Sequence, residues 1–102
     1  MSTIKLSYPI THDDKTISEI TMRRPTVRDH IWLDHQEAKM KREGKVIDDV
    51  ERDSMMYARL TEEDYAPEVL QKLDMSDWGK CRRFYLNCLK PSDDSNQTTE
   101  MN

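Results

Sequence analysis

Two glycines, two cysteines, one phenylalanine and no apolar run longer than four residues are all that this 102-residue chain offers in those categories. Each scarcity excludes something. Gly44 and Gly79 lie too far apart to build a glycine-rich phosphate loop. Cys81 and Cys88, seven apart on an expected helix, stand roughly 10 Å apart by the helical rise, too far for a disulfide within it. They read as reduced, buried small hydrophobes. Neither belongs to a Cys-x-x-Cys pair, and His30 and His35 miss the four-residue spacing that turns two imidazoles to one side of a helix. No metal or other cofactor is therefore expected. Ile31–Leu33 and Met55–Ala58, the longest apolar stretches, are far short of a membrane span, and the first residues lack the apolar core of a signal peptide. The expected location is the cytoplasm.

Charge is plentiful. Apolar residues make up 35% of the chain and charged residues another 35%, so the core is expected to be thin. The formal net charge is −4, unevenly spread. Residues 1–45 carry nine basic and seven acidic side chains, whereas residues 46–102 carry seven and 13. This balance argues against phosphate-backbone binding as the main task. The basic run Lys39, Lys41, Arg42, Lys45 contains no aromatic for base stacking and suits a solvated helix C-terminus. The consecutive Glu62, Glu63 and Asp64 point in different directions, and a solvated loop does not raise a carboxyl pKa for acid catalysis. With no Ser-His-Asp or Cys-His pattern present, the chain reads as a non-enzyme.

The periodicities predict an α+β fold: an N-terminal β-hairpin followed by a small bundle of three to four helices. Ile4, Leu6, Tyr8 and Ile10 alternate with polar residues as in a half-buried strand, and Thr16–Arg23 forms the return strand. Ile17 and Ile20 fall on opposite faces of that strand unless a bulge near Glu19 reconciles them. Pro25 closes the ribbon. Thr26 offers a helix N-cap with Asp29 three residues on, and Val27, Ile31, Trp32 and Leu33 anchor the first two turns of a helix ending at Gly44. A second helix is expected over Val46–Leu60, with Ile47, Val50, Ser54, Tyr57 and Ala58 on one face. A short one follows over Pro67–Leu73, and a last one over Asp77–Leu89, capped by Ser76. There Trp78, Cys81, Tyr85 and Leu89 should be buried against Ile31 or Val50. Residues 1–90 form one domain in this reading, and residues 91–102 a disordered polar tail.

Three residues stand out as partner contacts: Trp32, Met56 and Leu60, each off the best-defined apolar face of its helix or at its edge. Methionine in particular suits an adaptable surface for an apolar helix.

Thr3–Arg28 is the most distinctive stretch. Its core, Ile17–Asp29 (ISEITMRRPTVRD), resembles the tail assembly chaperones of contractile-tailed, Mu-like phages, a small family that assists the tape measure protein. The shared pattern is a strand, an Arg-Arg-Pro-Thr step and an Asp opening the first helix. Leu73-Asp74-Met75-Ser76-Asp77 is a second echo, leading into the last helix. The chain departs from its relatives at the hairpin turn His12-Asp13-Asp14-Lys15, where they tend to place a glycine, and at Gly79, inside the final helix. The resemblance implies a non-enzymatic chaperone that binds the tape measure protein and keeps it soluble during tail morphogenesis. It also implies contact with tail tube subunits, action in the host cytoplasm and absence from the mature virion. A homo-oligomer fits the thin core. The competing class is a small phage regulatory or nucleic-acid-binding accessory protein.

Overall fold

The computed structural model describes residues 1–91, so the expected disordered tail lies outside the described residues. The architecture is an N-terminal antiparallel hairpin followed by four helices. Strand β1 (Ser2–His12) turns back into β2 (Lys15–Met22) through Asp13 and Asp14 alone. Both aspartates have positive φ, 51° and 63°, as a type I′ hairpin turn demands. Aspartate tolerates this left-handed backbone better than most residues, because its short polar side chain bonds locally.

The register breaks between the pairs Lys5↔Glu19 and Ile10↔Ile17. Four residues of β1, Leu6 to Pro9, face Ser18 alone in β2. The irregularity falls beside Glu19 as the apolar pattern predicts, although the surplus residues sit in the opposite strand. The break turns Ile17 and Ile20 both into the core.

The remaining expectations hold in part. Helix α1 (Val27–Arg42) starts at Thr26, whose backbone N–H donates to the Asp29 carboxylate at 2.7 Å. It ends in a Schellman motif. Gly44 (φ 78°) donates to the Lys41 carbonyl and Lys45 to that of Met40, at 3.0 and 2.9 Å. Of the expected anchors only Leu33 is buried, Trp32 is half-buried, and Val27 and Ile31 are 76% and 49% exposed. The inward face is instead set by Asp29 and Leu33, one turn apart. Val27 and Ile31 each lie two residues from that line, about 200° around the helix.

Helix α2 (Asp49–Leu60) begins later than Val46. The Asp48 carboxylate accepts from the Glu51 amide at 2.8 Å, and the Glu51 carboxylate accepts from the Asp48 amide at 3.4 Å. This capping box leaves Val46 and Ile47 outside the helix. Val50, placed in the first turn, is exposed, and the buried set is Ser54, Met56, Tyr57, Ala58 and Leu60. The short helix α3 spans Pro67–Leu70. Helix α4 (Met75–Cys88) is capped by Asp74 rather than Ser76, because the Asp74 carboxylate accepts the Ser76 amide at 2.9 Å. On α4 Cys81 is fully buried, while Trp78 and Tyr85 are half-buried against the Tyr57 ring at 5.1 and 5.6 Å. Leu89 is 58% exposed. The aromatic residues of α4 thus pack on Tyr57, while Ile31 and Val50 stay exposed.

Two carboxylates tie this fold together. Asp77 of α4, fully buried, accepts the Ser7 and Tyr8 amides at 2.9 and 3.0 Å, the very amides that the bulge frees from the ladder. Lys80 completes the clamp, bonding Asp77 at 3.0 Å, the Lys5 carbonyl at 2.9 Å and the Ser7 hydroxyl at 2.8 Å. Further along the same edge, the Lys72 ammonium donates to the Thr11 carbonyl at 3.2 Å. The outer edge of β2 is met by the chain leaving α2. The Glu62 amide donates to the Thr21 carbonyl at 2.8 Å, and the Thr21 amide donates to the Glu63 carboxylate at 3.1 Å. What the sequence presents as an acidic loop therefore serves as a plug for a sheet edge.

Candidate functional site

The Arg-Arg-Pro-Thr step organises the junction between ribbon and helices. Arg23 makes a two-pronged contact with Asp29, at 2.9 and 2.8 Å. Arg59, reaching from α2, bonds the same carboxylate at 2.8 Å. Asp29 is almost completely buried, yet its carboxyl is held well below the usual range. The Arg23 hydrogen bonds dominate that shift. Burial opposes it, and the Thr26 amide and Arg59 reinforce it. At Asp77 burial is the largest influence and pushes upward, but the Ser7 and Tyr8 amides and Lys80 together outweigh it, leaving that carboxyl also below its ordinary value. Arg24 turns the other way and donates to the Cys88 carbonyl at 3.0 Å, a favourable place for a cation at the end of α4.

This bracing brings the start of α1 near the end of α4 and leaves a groove of about 640 Å³ between them. Pro25, Thr26 and Val27 form one wall, Tyr85, Cys88 and Leu89 the other, and Met56 contributes to the lining. Val27 and Ile31 form an apolar ridge along α1. Beyond it lies a second depression lined by Arg28, Ile31, Trp32, His35 and Arg59, with the Arg59 guanidinium 4.6 Å from the Trp32 ring centroid.

The three residues singled out as contacts are not gathered on one surface. Met56, the expected exposed one, is 3% exposed, and Leu60 is fully buried beneath the Thr61 bridge to Met22. Their exposure is corrected, and the reason is that α2 packs on both sides. Tyr57 and Ser54 face one way, Met56 and Leu60 another, and the helix is covered on each. Trp32 alone keeps a partly open face. The exposed residues that a hydrophobic pattern misses, Val27 and Ile31, are legible from a different signal. Arg23 and Asp29 are oppositely charged six residues apart across a proline, and an inward Asp29 turns Val27 and Ile31 outward.

Chemically the site offers an apolar groove and ridge with arginines beside them. Among the described residues, no three His, Cys, Asp or Glu side chains converge as metal ligands. The buried carboxylates are saturated by their own partners, so neither is free to shuttle a proton. Burial pushes the Cys81 thiol up to about 11, which removes it as a nucleophile. Among the described residues no helix is long and apolar enough to cross a membrane.

No curated protein and no solved structure matches the chain. A family profile does, over residues 3–88, and its description is "Phage tail assembly chaperone proteins, E, or 41 or 14". The matched region runs from the first residues of β1 to the last of α4, and includes both the Arg23–Asp29 junction and the Asp77 clamp. This chain belongs to the family of phage tail assembly chaperones.

Proposed function

We propose that the protein binds the tape measure protein of its phage and keeps that long chain soluble until tail tube subunits assemble around it, without catalysing a reaction. Family membership across residues 3–88 carries the reading. The exposed ridge of Val27 and Ile31 beside an apolar groove supports it, since such a surface accepts an apolar segment of another chain. Trp32, half-buried under Arg59, borders the ridge and is a proposed contact. Each contact is small, so several copies spread along one tape measure hold it by avidity. The protein acts in the host cytoplasm and is not retained in the finished virion.

The test is co-expression of the tape measure protein from the same phage genome with and without this chain, followed by separation of soluble and insoluble fractions. The reading expects a soluble tape measure only when the chain is present. Equal solubility in both cases rejects it, and retention of a specific DNA duplex at physiological salt would favour an accessory regulator instead.

A further inference from the structure

We propose that the Val27–Ile31 ridge and the groove beside it hold an amphipathic helix whose apolar stripe is flanked by acidic side chains. The inference rests on the chaperone reading and names the kind of tape measure segment recognised.

Shape supplies the first argument. Val27 and Ile31 stand one helical turn apart, the spacing at which a second helix presents its own anchors. The groove wall adds Tyr85 and Leu89. Charge supplies the second. Arg24 lies at the groove, held on the Cys88 carbonyl, and Arg28 lines the depression across the ridge. Among the described residues neither takes part in an ion pair. The nearby carboxylates are already engaged, Asp29 by Arg23 and Arg59, and Asp34 by Arg52 at 3.6 Å. A chain of net charge −4 thus carries two arginines beside this exposed apolar ridge. Arg24 and Arg28 attract an acidic flank to the edges of this apolar contact, which biases the orientation in which such a segment docks.

The test uses the full chain and overlapping synthetic peptides covering the tape measure protein, with binding read by fluorescence anisotropy. Bound peptides are expected to carry apolar residues at helical spacing with Asp or Glu beside them. Val27→Asp, which puts a charge into the apolar contact, should weaken binding by roughly tenfold or more. Arg28→Glu should weaken it by about threefold to tenfold, and a peptide with its acidic flank changed to lysine should recover affinity on that variant. Both positions are exposed, so the thermal midpoint should not move. If Val27→Asp shifts it, Ile31→Asp gives the same reading at the next turn. Peptides that bind whatever their flanking charge overturn the inference. So do variants that bind and solubilise the tape measure like the parent, an outcome that leaves the chaperone reading standing. A dimer in sedimentation that Val27→Asp dissociates assigns the ridge to a second copy and also overturns it. Failure of the parent chain to solubilise the tape measure rejects the chaperone reading itself.

Discussion

Replacing Asp29 by asparagine removes one negative charge from the junction and changes almost nothing in volume. Three Arg N–H contacts of 2.8–2.9 Å lose their charge assistance, and the new amide NH₂ must point at one of two guanidinium groups. Hydrogen bonds to charged groups contribute about 1.5–3 kcal/mol each, and breaking a buried pair costs about 3–5 kcal/mol. The arginines soften the loss. Arg23 and Arg59 keep 36% and 32% of their side-chain surface in water and recover solvation when released. The lower end applies, about 3 kcal/mol. At about 4–8 °C per kcal/mol for a domain of this size, the unfolding midpoint should fall by roughly 12–24 °C. Circular dichroism at neutral pH reads this directly. The pH dependence adds a second signature. The folded pKa of Asp29 lies below its unfolded value, so the stability it adds is fully present above about pH 4 and is lost as pH falls further toward the folded pKa. The parent should therefore lose stability more steeply below about pH 4 than the variant, which retains only the parallel contribution of Asp77. A variant whose midpoint stays within about 3 °C of the parent, or whose acid profile superimposes on it, refutes the hub.

Other outcomes follow from the same geometry. Asp77→Ala strands the Ser7 and Tyr8 amides and frees Lys80, and should cost about 2–4 kcal/mol by urea denaturation, with faster hydrogen exchange at those two amides. Asp14→Gly relieves a φ of 63° in a turn that favours Asp-Gly, and should raise the midpoint by the equivalent of about 0.5–1 kcal/mol. Gly44→Ala should cost about 1 kcal/mol despite open space around the site, because its φ of 78° is the obstacle; a neutral result would show that the Schellman turn relaxes. Iodoacetamide at pH 8 should label Cys88 in the native protein and spare Cys81, which lies fully buried with its thiol pKa near 11, until urea exposes it.

The hairpin was legible because its two-residue period is long and its turn is short. The break near Glu19 was legible too, since Ile17 and Ile20 share the core only if the strand slips. Helix starts were less so. Asp48 and Asp74 outcompete the neighbouring Val46 and Ser76 as boundaries, and a cap is decided by which carboxylate reaches which amide. The apolar pattern alone points α1 the wrong way, and the reason lies deeper. Hydrophobic patterning assigns the inward face to Val27 and Ile31, whereas the inward face is held by Asp29, a charge whose burial depends on Arg59 thirty residues away. Met56 and Leu60 were misplaced for a related reason. A helix covered on two sides buries positions that a single apolar stripe excludes. Trp32 could be seen at the margin of α1, but its cover, Arg59, could not.

The plugged edges of the hairpin bear on how such a protein survives its work. An unpaired strand edge is a template for growth, and fibrillar deposits extend by copying it, layer upon layer. In the proposed role, with several copies gathered around one aggregation-prone client, recruitment into the client's own aggregates is the hazard to avoid. Here Lys72, Asp77 and Lys80 occupy the backbone positions of β1 that a newcomer would need, and Glu62 and Glu63 close the end of β2. Both edges of the ribbon are thereby interrupted, which shortens the row of free amides and carbonyls that another strand could copy.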